Sequence, residues 1–227
     1  MTTRILLFLL SFSLGGAPTT LAAPLPPELR PPTVGVMLKF DRQPAPVFLK
    51  QLRRDVGGIF RPAGLDLTWE LRGGQTRPGT YDRVVVLDFR GRCGSNRLDE
   101  AHGASTGHKR LGGTMVSDGE VIPFVMVDCD QMAAVVRSMH IPVSSKVFLP
   151  GIYNRLASRV AAHELMHALL RTTEHHPTDC MRPFVRASDL QSEARLTPAE
   201  IAALRLAGRA TPSLTLAQRE RRGILDP

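Results

Sequence analysis

The 227-residue chain lacks any long apolar run beyond its first twenty residues, so nothing later in it is a candidate to span a bilayer. It lacks an internal repeat, and its 18 prolines and 19 glycines are too dispersed for a fibrous protein. The Gly- and Ser-rich stretch from Gly91 to Gly113 has no GK[ST] ending, which excludes a phosphate-cradling loop; it reads as a surface loop carrying His102 and His108, with a substrate-side or metal-binding loop as the alternative. Cysteine is scarce: Cys93, Cys129 and Cys180 allow one disulfide and leave one thiol over. Acidic residues are outnumbered, 21 against 29 Lys and Arg, for a formal charge of +8. That excess suits contact with anionic material such as nucleic acid, a membrane surface or a cell-wall polymer.

What is present is enough apolar residue, 43% against 22% charged, to bury a core. Disorder throughout is excluded, and the length suits one domain with tails better than two domains. Arg4, the run Ile5 to Leu14 and the small residues through Ala22-Ala23 have the layout of a cleavable signal peptide over residues 1–23. Export follows, to the periplasm or the extracellular space, which disfavours nucleic acid as a partner and allows a disulfide. Cleavage removes only the charge of Arg4, so an anionic cell-envelope polymer remains a candidate partner.

Residues 24–32 are a Pro-rich spacer, residues 33–210 the folded domain and residues 211–227 a basic tail. Val34 to Phe40 reads as a strand. A helix follows Pro44-Ala45-Pro46, with Val47, Phe48, Leu52, Val56, Ile59 and Phe60 recurring at helical spacing. Leu65 to Leu71 alternates as a strand whose Leu65, Leu67, Trp69 and Leu71 belong to the core. The run Val84 to Phe89 suits a central strand covered on both faces. Leu111–Val116 and Val121–Asp128 flank Ser117-Asp118-Gly119-Glu120 as a hairpin, and Pro123 should fall where the ladder is irregular. A long helix runs from Leu149 to Leu170. The capping box Thr197-Pro198-Ala199-Glu200 opens a last helix ending near Gly208. This order favours an α/β or α+β sheet.

The chemistry is concentrated in Ala161-Ala162-His163-Glu164-Leu165-Met166-His167, an HExxH pattern inside the long helix. Residues four apart share a face, so His163 and His167 can aim imidazole nitrogens at one ion, with Glu164 beside them to act on a metal-bound water. Imidazole ligands and an open fourth position point to zinc. The third ligand lies downstream: His175 leads, with His176 and Glu174 as competitors. A gluzincin-like plan would instead use Asp189 or Glu193.

The stretch from His163 to Met181 resembles the metzincin zinc metallopeptidases, and more closely a group of small, exported bacterial zincin-like proteins. Their AHELxH is followed by a short turn, a third His and a later Met. The resemblance implies His175 as third ligand, Met181 at the methionine turn, and Glu164 as the general base for peptide-bond hydrolysis. It implies an α+β zincin-like fold: a twisted mixed sheet with an antiparallel edge strand, an active-site helix and a C-terminal helix. It also implies a peptide or protein substrate, paired to the edge strand Leu111–Val116. Two departures bear on the turn. Leu170 stands where metzincins carry Gly, and the third His comes two residues later.

A bridge between Cys93 and Cys129, each at a strand end, is the preferred pairing. Cys180, beside Met181, is a buried thiol, a bridge partner or an inhibitory metal ligand. Tyr153 reads as a packing residue, and the mature chain as a monomer without a transmembrane helix. The rival reading is a non-catalytic exported binding protein on a degenerate zincin scaffold.

Overall fold

Strands β1 (Thr33–Phe40), β2 (Asp66–Leu71), β3 (Arg83–Arg90), β4 (Gly112–Ser117) and β5 (Glu120–Asp128) form one sheet in the order β2-β1-β3-β5-β4. The structure is a computed structural model and describes residues 32–72, 81–94, 98, 110–139, 149–177, 180–183 and 185–209. The leader, nearly all of the spacer, the basic tail, His102 and His108 lie outside the described residues. Four strands are parallel and β4 is antiparallel, hydrogen-bonded only to β5, so the sheet is mixed with an antiparallel edge, as the resemblance implies. Four helices complete the α and β elements: α1 (Pro46–Phe60), α2 (Cys129–Ser138), α3 (Leu149–Leu170) and α4 (Pro198–Arg209). None of the described helices is long and apolar enough to cross a membrane.

Alternation decides which face of the sheet the helices cover. Val34, Val36 and Leu38 of β1, Val85, Leu87 and Phe89 of β3, and Val125 and Val127 of β5 are all buried, while their neighbours are not uniformly so. Each such side chain contributes about 1.5–3 kcal/mol through burial, so this one face carries most of the stability. The expectation that β3 is covered on both faces is corrected: Val84 is 44% exposed on the opposite side. On that side the run is broken by Asp88, fully buried, whose carboxylate accepts from Lys39 Nζ at 3.1 Å and pairs with Arg90 at 2.7 Å. Both cations meet Oδ2, while the buried Oδ1 has no hydrogen-bond partner among the described residues.

Phe40 and Phe89 stack at 4.7 Å, Phe48 meets both rings edge-on, and Tyr153 of α3 lies 6.1 Å from Phe48. Tyr153 is fully buried and its hydroxyl donates to the Cys129 carbonyl at 3.4 Å, as fits a packing residue. The five residues of α1 expected in the core besides Val47 are there; Val47 is 70% exposed, because it falls on the helix face it shares with the exposed Lys50, Arg54 and Gly58.

The hairpin turns through Asp118 and Gly119, both at positive φ (52° and 80°), the geometry a two-residue turn between twisted strands requires. Pro123 falls at the register shift of the β4–β5 ladder, one residue before β5 begins to pair with β3. The capping box of α4 is made: Thr197 N–H donates to Glu200 Oε2 and Glu200 N–H to Thr197 Oγ1. Arg83 donates to the Leu169 and Ala207 carbonyls, joining a cation to the C-terminal ends of α3 and α4.

Helix α2 was not expected. Cys129 was read as a strand end, but the strand stops at Asp128, whose side chain accepts from Gln131 N–H at 2.8 Å and caps the new helix. Cys129 nonetheless bonds Cys93 in a disulfide. The bridge spans 36 residues of chain, which by loop-closure entropy is worth about 3–4 kcal/mol. The double variant Cys93→Ser, Cys129→Ser should lose stability of that order in denaturant unfolding, and an unchanged midpoint would show that the bridge does not constrain the unfolded chain.

Candidate metal centre

Helix α3 is apolar almost all round, with Leu156, Ala157, Val160, Ala161, Ala162, Leu165 and Met166 buried, so it packs in the interior and carries its polar residues with it. Edge strand β4 crosses it closely. A Cβ on Gly112 would stand 2.8 Å from a Val160 methyl and 3.0 Å from Glu164 Cγ, so glycine permits this approach. Two residues on, Thr114 reaches Glu164 from the same face of the strand.

His163 Nδ1 lies 2.8 Å from the Cys180 carbonyl and His167 Nδ1 2.8 Å from the Thr172 carbonyl. A carbonyl only accepts, so each Nδ1 carries the proton and, in the neutral ring, each Nε2 presents a lone pair. Those two Nε2 atoms face each other at 3.1 Å. Two lone pairs at that distance repel unless a cation lies between them, and 3.1 Å suits two ligands about 2.0–2.1 Å from one zinc ion. His175 joins them: the three ligand atoms lie within 4.8 Å of one another, and the His163 and His175 rings stack at 5.1 Å. The donor set therefore fits zinc, and the exposed His175 is the member with room to move inward.

Burial holds the His163 and His167 imidazoles below their usual pKa, and their mutual repulsion with His175 adds to it. Both rings are thus kept in the neutral form that binds a metal. Burial pushes the Glu164 carboxyl up, opposed by the Thr114 hydrogen bond and by the His167 and His175 charges. Thr114 Oγ1 is 2.8 Å from Glu164 Oε2 and 3.0 Å from the Glu164 carbonyl. It has one proton: with Glu164 ionised it donates to the carboxylate, and with Glu164 protonated it accepts from the carboxyl and donates to the carbonyl. Either protonation state of Glu164 is satisfied by the same hydroxyl.

The turn after α3 is built without glycine. Arg171 takes φ 53° and Thr172 N–H returns to the His167 carbonyl at 3.2 Å, the six-to-one bond of a Schellman cap with Leu170 as the last helical residue. His167 thus contacts Thr172 twice, by ring and by backbone. Further on, His176 N–H donates to the carbonyl of the buried Met181 at 3.1 Å. His176, Glu174 and Glu193 are not in the histidine group. Asp189 is held instead by Arg182 and by the Arg186 N–H. Cys180 is a buried thiol outside the disulfide and outside that group.

No family model matches the chain, and no curated protein matches it. Among solved structures, an archaemetzincin from Methanopyrus kandleri is similar over 77% of this chain and 95% of that one, at 12% identity and a TM-score of 0.44.

Sequence reasoning did not find Thr114, the Cys180 and Thr172 carbonyls, or the role of Gly112. Only Gly112 carried a signal, since glycine inside a strand marks a close backbone approach. The carbonyls belong to residues of any type and leave no mark in the pattern. Replacing Arg171 by Gly removes a non-glycine residue from the left-handed region, which costs about 1–2 kcal/mol per residue there. Arg171→Gly should raise the unfolding midpoint by a few degrees. A lowered midpoint would mean that the Arg side chain, not the cap, governs this turn.

Proposed function

We propose that the chain is an exported zinc metallopeptidase of metzincin-like type, with His163, His167 and His175 as metal ligands and Glu164 as general base. The observation that carries the reading is the pair of ring-to-carbonyl hydrogen bonds that turn both Nε2 atoms of the HExxH helix toward one point, with a third imidazole beside it. Zinc, when bound, supplies a Lewis acid that acidifies water and polarises a carbonyl.

The rest is done by this chain's own residues. The Glu164 carboxylate takes a proton from the attacking water and returns it to the nitrogen of the leaving amine, so the peptide C–N bond breaks as a C–O bond forms. Thr114 holds Glu164 in place through both proton transfers. The outer edge of β4 has no strand partner among the described residues, and an extended peptide pairs with it as an added strand. A cavity of about 790 Å³ beside the histidines, lined by Val160, Val185, Arg159 and Arg182 among others, takes substrate side chains. Met181 stands at the methionine turn. The Cys93–Cys129 disulfide and the leader pattern support export to the periplasm or beyond, with the chain working as a monomer.

Purified wild-type protein should carry one zinc per chain and hydrolyse peptides. His163→Ala should lose the metal, while Glu164→Gln keeps it and loses about 10²–10⁴-fold in rate, the usual worth of a general base. A wild type without stoichiometric zinc, or full activity in Glu164→Gln, overturns the reading. Thr114→Val should lower kcat roughly 10- to 100-fold, as expected for a hydrogen bond to a charged group, with little change in KM and recovery in Thr114→Ser. A loss confined to KM would place Thr114 in substrate binding instead.

A further inference from the structure

A second cavity, of about 450 Å³, lies between the end of α1, the middle of α3 and residues 192–196. Five arginines line it, Arg54, Arg61, Arg155, Arg159 and Arg195, against two acids, Asp55 and Glu193. Asp55 is already engaged, accepting from Gln51 Nε2 and Arg54 Nε. The wall is therefore cationic beyond what its own carboxylates offset, and a concave wall of one sign concentrates counter-ions.

The second observation is a hydroxyl. Ser158 is among the residues that line this cavity; it is 2% exposed, and its buried Oγ has no hydrogen-bond partner among the described residues. Serine inside a helix usually bonds back to the preceding turn, and a buried hydroxyl left without a partner costs about 1–3 kcal/mol. One turn of α3 earlier, Arg155 donates to the Gly151 and Gln191 carbonyls at 3.4 and 3.3 Å, and its second terminal nitrogen makes no bond among the described residues. Donors without acceptors, in a cationic cavity, define what would fill it.

We propose that this cavity binds a small oxyanion, a carboxylate or a phosphate, with the Ser158 hydroxyl and the Arg155 guanidinium as its direct donors and Arg54 and Arg61 supplying charge. Arg159 and Ala194 line both this cavity and the one beside the histidines, so the two adjoin. Arg159, which lines both cavities, precedes His163 by four residues, one turn and about 6 Å along the same face of the helix, which two or three residues of extended peptide span. The anion is thus supplied either by an acidic side chain of a bound substrate or by a free inorganic oxyanion. The substrate source rests on the peptidase reading; the binding itself does not.

Inorganic phosphate, titrated into the metal-free full-length chain at constant ionic strength, should bind saturably and raise the unfolding midpoint. Ser158→Ala and Arg155→Gln should each weaken that binding at least tenfold while keeping the wild-type circular dichroism spectrum, the check that both remain folded. Absence of saturable phosphate binding, or equal binding by the two variants, overturns the proposal. In a second arm, zinc-loaded protein is given peptides with Glu or Gln two or three residues from the cleaved bond. A preference for Glu that Arg155→Gln abolishes assigns the site to substrate. Phosphate binding without such a preference assigns it to a free anion. If no peptide is cleaved, the peptidase reading fails while the phosphate titration still decides the cavity.

Discussion

Burying a helix that carries two imidazoles, a carboxylate and a guanidinium is the constraint on which the rest of this structure depends. An unsatisfied polar group inside costs several kcal/mol, comparable to the whole margin of stability of a domain. These four groups of α3 are each met by a particular neighbour: the Cys180 carbonyl for His163, the Thr172 carbonyl for His167, Thr114 for Glu164, and the Ser192 carbonyl for Arg159. Three of these four come from chain that follows α3, and the fourth from edge strand β4. The segments around the helix are placed where its polar atoms need them, and the inward-facing Nε2 pair is a by-product of satisfying the outward-facing Nδ1 pair.

The same constraint explains why the turn after α3 departs from the glycine-based plan. His167 lies in the last turn of the helix, so the residue that caps the helix is also the one that can reach its ring. By running to Leu170 and turning at Arg171, the chain delivers the Thr172 carbonyl to the His167 ring and its N–H to the His167 backbone. A glycine three residues after His167 would allow a turn one residue earlier and move that carbonyl. The longer path also gives the loop enough chain to bring His175, rather than a nearer residue, back beside the helix.

What was legible in the sequence follows from which interactions leave a periodic or compositional mark. Strand alternation, the Asp118-Gly119 turn, the Thr197 to Glu200 box and the HExxH spacing are local and repeat on the period of their own element, so they could be read directly. Helix α2 was missed because its cap, Asp128, also ends a strand, and the apolar run gives no sign of where one period yields to another. The two-sided burial expected of β3 failed because Asp88 and its cationic partners stand in for a covering layer. Contacts made by backbone carbonyls to His163 and His167 were invisible in principle, since a carbonyl is common to every residue.

Charge takes on a different meaning once residues are placed. An excess of arginine and lysine over a whole chain speaks of surface and solubility, and would be satisfied by side chains projecting into water. Arg155 and Arg159 do not project: they sit on α3 among its apolar residues, one or two turns before His163, each tied to a carbonyl of residues 191–192. Guanidinium groups held this way have lost conformational freedom in advance, a part of anion binding that an untethered cation would still have to supply. On the proposed reading, the polar side of α3 carries neutral imidazole lone pairs for a cation at one end and tethered cations for an anion at the other. A peptide bearing an acidic side chain near its scissile carbonyl would, on that reading, be complementary to both ends at once.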